Sequence, residues 1–282
     1  MKIDQYTQLY GIIGFPVRHS LSPLMHNTAF EALGINAVYL AFETMNLKGV
    51  IKAMKALTIM GMSVTIPHKT SIIPYLDELH PLAKQIGAVN TIVNHEGRLI
   101  GYNTDATGAL AALERRVDMK GLRCLILGAG GAARSIGFAL KGVGANLWIT
   151  NRTASKAKAL AEALGCGSID WDEMGGFETD LIVQATPVGM APHTNACPVP
   201  ETLLKPGTVV MDIIYNPLET RLVKIARSRD CIVIDGLSMF VRQGVEQFRL
   251  WTRTDPPVSL MEKVVTEALK GHEDANGQNQ KG

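Results

Sequence analysis

The sequence predicts an α/β protein of two domains, the second built on a doubly wound parallel sheet, and three observations carry that expectation. Short apolar runs suited to strands alternate with helix-favouring stretches along most of the chain. From Arg123 onward the order is strand, glycine turn, helix, strand, helix, with further strand-like runs at 181–184, 208–213 and 231–234. A chain of 282 residues is long enough to bury two cores.

In chain order, residues 10–14 read as a strand followed by the loop from Phe15 to Pro23. Ser22 before Pro23 reads as a helix start, a hydroxyl N-cap with proline at N1, and that helix runs to about Leu33 before Gly34. A strand is expected near 38–42, a helix near 47–57 and a strand at 62–66 that stops at Pro67. Residues 72–86 read as a helix or pair of turns interrupted by Pro81. Runs at 88–93 and 99–102 pair as a hairpin across His95-Glu96-Gly97. Asp105 stands where a helix of about 107–116 begins. Stretches 165–179 and 187–200 read as loops, and 237–251 and 258–269 as the last helices. The polar stretch 271–282 reads as a disordered tail.

Composition narrows the partners. Hydrophobic residues make up 46% and charged residues 19%, which suits a folded globular chain. A net charge of +2, without an aromatic–basic stripe, argues against nucleic acid or an anionic membrane as partner. No apolar signal core or membrane-spanning run is visible. The four cysteines are scattered, and Cys124 and Cys231 sit in strand-like runs as small core residues. The seven histidines show no ligand spacing, so a reduced, cytoplasmic, metal-free protein is expected.

The stretch from Leu125 to Arg134 carries the most specific chemistry. Gly128, Gly130 and Ala133 occupy the three positions of the G-x-G-x-x-G/A dinucleotide fingerprint. The first permits the tight turn, the second lets backbone approach a pyrophosphate, and the third lets the helix pack closely. The diphosphate is expected on the N–H groups opening a helix of about 131–143. The next strand, 145–150, ends in Asn151-Arg152-Thr153 with Lys156 beyond. An acidic residue there would suit NAD, whereas two cations and a hydroxyl suit a ribose 2′-phosphate, so NADP is the expected cofactor. Thr153 also reads as the N-cap of the following helix, and both roles are compatible.

Three other strand-end loops carry polar groups. Ser20 and Ser22 beside a helix start suit a carboxylate. Lys69 follows Thr65-Ile66-Pro67-His68, and Asp105 follows Asn103-Thr104. A Lys69–Asp105 pair would handle the hydroxyl proton that must move with a hydride. Lys69 either acts as base in its neutral form or stays charged and stabilises an alkoxide, and the sequence leaves both open. Taken singly, Ser20, Ser22 and Asp105 also read as caps and Lys69 as a solvated loop residue.

Together these residues resemble the shikimate dehydrogenases of the shikimate/quinate dehydrogenase family. The likeness runs through His19-Ser20-Leu21-Ser22-Pro23 with His26-Asn27, Val64-Thr65-Ile66-Pro67-His68-Lys69 and Gly87-Ala88-Val89-Asn90-Thr91. It continues in Gly101-Tyr102-Asn103-Thr104-Asp105, the glycine turn, Asn151-Arg152-Thr153, Ala185-Thr186-Pro187-Val188-Gly189-Met190, Asp212 to Pro217, and Asp235-Gly236-Leu237 with Met239 and Gln243. The resemblance implies reversible NADPH-dependent reduction of 3-dehydroshikimate to shikimate, in aromatic amino-acid biosynthesis. It implies that Ser20 and Ser22 hold the substrate carboxylate, helped by Tyr215. It gives Thr65, Asn90, Asp105 and Gln243 the ring hydroxyls and reacting oxygen, and Lys69 the proton, with Asp105 as partner. Gly128, Ala129, Gly130, Gly131 and Ala132 then cradle the diphosphate. Asn151, Arg152, Thr153 and Lys156 grip the 2′-phosphate, and Ile213 and Gly236 line the nicotinamide pocket.

On the same basis, residues 1–106 with a returning 237–270 form a substrate-binding α/β domain. Residues 107–236 form a Rossmann-like NADP-binding domain, with a cleft between the two and a monomeric or homodimeric chain. Ser63 and Ser238 depart from the usual Asn and Gly; Ser63 is expected to alter the support behind Thr65. Competing readings are a quinate/shikimate dehydrogenase with relaxed NAD/NADP use and a non-catalytic NADP-binding sensor.

Overall fold

A computed structural model describes residues 3–279, with side chains to residue 271. The described chain divides into two units, residues to Thr107 with Gln243–Val265, and Gly108–Arg242 with the residues from Thr266 onward.

In the first unit a six-stranded mixed sheet has the order β2-β1-β3-β5-β6-β4. Its strands are β1 Gln8–Gly14, β2 Ala37–Glu43, β3 Gly61–Val64, β4 Glu78–Leu79, β5 Thr91–His95 and β6 Arg98–Tyr102. β1 runs parallel to β2 and β3, whereas β5 is antiparallel to β3 and β6. The expected hairpin forms because Glu96 (φ 53°) and Gly97 (φ 86°) both take the left-handed conformation that a two-residue turn between twisted strands requires. Helices α1 Ser22–Ala32, α2 Leu47–Ala56 and α3 Pro81–Ile86 connect these strands. Asn46 caps α2 by accepting from Gly49 N at 2.9 Å. One core joins Leu47, Ile51 and Met54 of α2 to Ile13, Val64 and Ile92 of the sheet.

Two expectations need correction here. Residues 72–86 are a 3₁₀ turn at Ile73–Tyr75, then β4, then α3. Pro74 and Pro81 supply no N–H, and the segment between them pairs instead with β6, Asp77 N donating to Leu99 O and His80 N to Gly101 O. Ser22 is not the cap of α1: Leu21 holds that position without a side-chain bond, and Ser22 lies inside the first turn.

In the second unit all six strands are parallel, in the order β12-β11-β10-β7-β8-β9. They are β7 Arg123–Leu127, β8 Asn146–Thr150, β9 Gly167–Ser168, β10 Leu181–Gln184, β11 Val209–Asp212 and β12 Ile232–Ile234. This is the doubly wound arrangement, with the strand order reversing between β7 and β10. Ligands bind such sheets beyond the carboxyl ends of the strands at that point. Helices α4 Asp105–Leu113, α5 Gly131–Gly142, α6 Ala154–Leu164 and α7 Arg221–Ser228 accompany these strands. Ile126 and Ile149 pack with Ile136, Leu140 and Leu160, while Leu125, Leu127, Ile182 and Val210 pack with Leu222 and Ala226. The expected loop 165–179 contains β9 and a 3₁₀ turn at Trp171–Gly176. Cys124 is buried in β7 as expected, but Cys231 is only half-buried, ahead of the edge strand β12.

α8, Gly236–Thr252, and α9, Val258–Asn279, close the chain. α9 runs through residues 271–279, which the polar composition assigns to a disordered tail; extending an existing helix costs far less than nucleating one. Residues 280–282 lie outside the described residues.

Trp251 pins the end of α8 to the first sheet, its Nε1 donating to Ile92 O at 3.0 Å. A Cβ added at Gly61 would overlap that indole. Gly61→Ala is therefore expected to lower the unfolding free energy by about 1–3 kcal/mol, the cost of overpacking a filled core. Urea melts would read this directly, and an unchanged midpoint would mean that the indole moves freely.

Candidate active site

Lys69 is placed by a turn at the end of β3. Thr65 N donates to Ile13 O (2.9 Å), His68 N closes onto Thr65 O (2.8 Å), and Val89 N takes the Lys69 carbonyl (2.7 Å). The His68 ring is buried, with Nε2 2.7 Å from Thr44 O, so the turn is tied to the residue that follows β2. Lys69 Nζ consequently reaches Asp105 Oδ2 at 2.5 Å, with side-chain exposures of only 15% and 7%.

Asp105 is free to make that pair because another residue caps α4. Asn103 Oδ1 accepts from Ala106 N at 3.2 Å, and its amide donates to Ala88 O. Asp105 lies in the first turn, where the helix favours a carboxylate, and its second oxygen accepts from Asn90 Nδ2 at 2.8 Å. Asn90 Nδ2 also lies 2.9 Å from Thr104 Oγ1 and 3.5 Å from Gln243 Oε1. Lys69, Asp105, Asn90 and Gln243 thus form one hydrogen-bonded cluster, although they come from four separate segments.

Ser20 and Ser22 also meet. Ser20 Oγ donates to Ser22 Oγ (3.2 Å) and accepts from Ser22 N (3.2 Å). Ser22 Oγ does not cap α1, whereas Ser20 Oγ takes the first amide of that helix, and both hydroxyls sit together at its start. Thr65 is half-buried at the end of β3. Ser63 lies two residues before Thr65 in the same extended segment. It is buried and bonded to Tyr39 (2.6 Å) and Gln247 (2.8 Å).

In the second unit the glycine turn lies between β7 and α5. Gly128 adopts φ 112°, and a Cβ there would lie 2.7 Å from Ala185 O, so only glycine fits this turn. A Cβ at Gly130 meets nothing within 4 Å, so that face opens onto space. Gly130 is the N-cap of α5 without a side-chain bond, and the first-turn amides from Gly131 and Ala132 are not closed off by a capping group. Ala133 is fully buried in the core, as the third fingerprint position requires. At the end of β8, Asn151 Nδ2 donates to Thr153 O (3.0 Å), and Arg152, Thr153 and Lys156 are exposed. Thr153 is the N-cap of α6 by position, but its hydroxyl makes no cap bond, leaving it with the two cations. These groups fit NADP: open backbone for the diphosphate, two cations and a hydroxyl for the 2′-phosphate.

Ile213 and Gly236 also belong together. A Cβ on Gly236 would overlap the Ile213–Ile214 backbone, so the start of α8 sits directly on that chain. Tyr215 stacks on Phe240, ring centroids 4.3 Å apart. Among the described residues no cluster suits a metal ion, and no helix is long and apolar enough to cross a membrane.

Asp212 ends β11 fully buried, bonded to Thr220 Oγ1 (2.6 Å) and Ile214 N (3.1 Å). Burial pushes its carboxyl up to about 6 despite these bonds. Because the folded value lies above the ordinary 3.8, the stabilising contribution is present below about pH 4 and lost as pH rises through about 6. Relative to Asp212→Asn, the wild-type unfolding free energy is expected to drop by roughly 1–3 kcal/mol across that window. Parallel pH curves for the two proteins would sink the assignment.

One buried residue of this region went unread in the sequence: Gln247, which donates to Asn90 O at 3.2 Å. Its signal was the spacing Gln243, Gln247, Trp251, which puts all three on one face of α8.

Residues 12–92 match the family described as the shikimate dehydrogenase substrate binding domain, and residues 236–266 the shikimate 5′-dehydrogenase C-terminal domain. The chain is 48% identical over 271 residues to shikimate dehydrogenase (NADP(+)) of Pyrococcus furiosus, covering 95% of this chain and 98% of that protein. A solved shikimate dehydrogenase in complex with NADP+ has a TM-score of 0.91 at 43% identity, covering 95% of this chain and 98% of that one. The Thermus thermophilus shikimate 5-dehydrogenase in complex with NADP(H) and shikimate has a TM-score of 0.87 at 39% identity, covering 93% and 100%.

Proposed function

Because the chain belongs to the shikimate dehydrogenase family, we propose that Lys69 and Asp105 are its proton-handling pair in the NADPH-dependent reduction of 3-dehydroshikimate to shikimate. The 2.5 Å contact between Lys69 Nζ and Asp105 Oδ2, largely withdrawn from water, is the observation that carries this reading.

NADPH, when bound, supplies the hydride. The carbonyl oxygen of the substrate then gains an electron pair and needs a proton. The Lys69 ammonium delivers that proton at the oxygen, and in the oxidative direction the neutral amine takes it back. Asp105 orients the ammonium through one oxygen, and Asn90 holds the other so that the carboxylate cannot rotate away. Low exposure strengthens each of these electrostatic contacts. Ser20 and Ser22, helped by Tyr215, take the substrate carboxylate. Thr65, Asn90, Asp105 and Gln243 take the ring hydroxyls and the reacting oxygen.

Gly128, Ala129, Gly130, Gly131 and Ala132 receive the diphosphate. Asn151, Arg152, Thr153 and Lys156 receive the 2′-phosphate, and Ile213 and Gly236 border the nicotinamide. We assign residues 1–106 with 237–270 to substrate binding and 107–236 to NADP. Half-buried free thiols at Cys166, Cys197 and Cys231 suit a reducing compartment, and the cytoplasm is the proposed location.

Steady-state kinetics with shikimate or quinate against NADP or NAD, followed by nicotinamide absorbance, tests the reading. The shikimate–NADP pair is expected to give the highest kcat/KM. Measurable NADPH binding without turnover of shikimate would instead make the protein a sensor.

A further inference from the structure

Behind Asn90 lies a chain of buried hydrogen bonds that the reaction described above does not use. Gln247 is its centre, only 2% exposed. The backbone carbonyl of Asn90 can only accept, so the nitrogen that lies 3.2 Å from it must be the Gln247 amide donor. The same Nε2 donates to Thr91 Oγ1 at 3.0 Å. Thr91 then turns its own proton to Asn90 Oδ1, 2.8 Å away, which also accepts from Thr104 N at 2.8 Å. With its oxygen doubly engaged, Asn90 presents Nδ2 to Asp105 Oδ1. On the other side, Gln247 Oε1 accepts from Ser63 Oγ, which accepts from the Tyr39 phenol. Ser22 adjoins that phenol, so the chain reaches toward the serine pair.

We propose that Gln247 is a positioning residue for the proton-handling pair: through Thr91 it holds the Asn90 side chain with its amide N–H, not its oxygen, facing Asp105. The inference rests on the reading of Lys69 and Asp105 given above. An Asn90 amide turned the other way would set a carbonyl oxygen against the carboxylate and loosen the seat of Lys69. Two titratable groups pack on this chain, and one of them, His26, adjoins Gln247 itself. His26 stacks on Tyr39 with ring centroids 4.6 Å apart, and burial holds its imidazole down to about 3; burial also pushes the Tyr39 phenol up. Both are neutral, so charge enters the chain only at Asp105 and Lys69. Trp251, one turn further along α8, anchors the helix independently of Gln247.

The test compares Gln247→Glu and Gln247→Met with Asp105→Asn, measuring kcat and KM for shikimate across pH and the melting temperature of each protein. In Gln247→Glu the introduced carboxylate, once ionised, accepts only. It would draw the Thr91 proton away from Asn90, whereas its protonated form still donates. Gln247→Glu is therefore expected to show a fall in kcat on the alkaline side that wild type lacks, with KM little changed. Gln247→Met is expected to lose about ten- to a hundredfold in kcat, the scale of a small misplacement of reacting groups. Should Gln247→Met fail to fold, the Gln247→Glu profile decides alone. Wild-type kcat and wild-type pH profile in the folded Gln247 variants, with Asp105→Asn impaired, would overturn the positioning role and leave the pair intact. Wild-type kcat in Asp105→Asn would overturn the pair and the inference with it.

Discussion

Lys69→Ala is expected to lower kcat by about 10²–10⁴-fold, the range for losing a placed general acid, while KM for shikimate moves little. Lys69 Nζ is 2.5 Å from Asp105 in a setting where neither side chain is well exposed, so water is a poor substitute donor. The backbone around it does not depend on the side chain, because the turn is held by main-chain bonds from His68 N and Val89 N. The variant should therefore fold. Its Asp105 carboxylate keeps Asn90 as partner but loses its counter-ion, so a lower melting temperature is expected as well. Stopped-flow measurement of a single turnover separates chemistry from release. If kcat survives and only KM rises, Lys69 merely positions the substrate.

The second large effect is on cofactor choice. Arg152→Ala is expected to weaken NADPH by roughly ten- to a hundredfold, the size of one hydrogen bond to a charged group, and to leave NADH almost untouched. Arg152 is exposed at the carboxyl end of β8 with Thr153 and Lys156 beside it in sequence, and the structure ties Asn151 into the turn that presents them. A 2′-phosphate carries the charge that NADH lacks, so the loss must be selective and must shrink as salt rises. Equal losses with both dinucleotides would move the phosphate site elsewhere.

Much of this was legible along the chain because the signals are local. The turn at Gly128 needs a residue that tolerates φ 112°, and the apolar run ending there needs a buried parallel strand. Strand–helix alternation after Arg123 carries the doubly wound order in the same way, since every crossover but the one from β9 to β10 links neighbouring strands. Local reasoning misled where a local rule had a rival partner. Ser22 and Asp105 both stand at helix starts and read as caps. Leu21 holds the capping position of α1 and Asn103 supplies the capping bond of α4, while Ser22 and Asp105 turn to Ser20 and Lys69. Residues 72–86 read as a helix or pair of turns, and β6 offers the backbone at 78–79 a ladder instead.

By itself the sequence determined the α/β class, the nucleotide loop, the cationic strand end that suits NADP, and the identity of the polar residues available for chemistry. Only the tertiary structure decided which of them meet. Lys69 and Asp105 are 36 positions apart, and Gln247 and Asn90 are 157 apart. Periodicity and turn chemistry report on neighbours within a few residues, whereas these contacts depend on strand order and on where a returning helix lies. A short-range code can name the groups; sheet topology sets the distances between them.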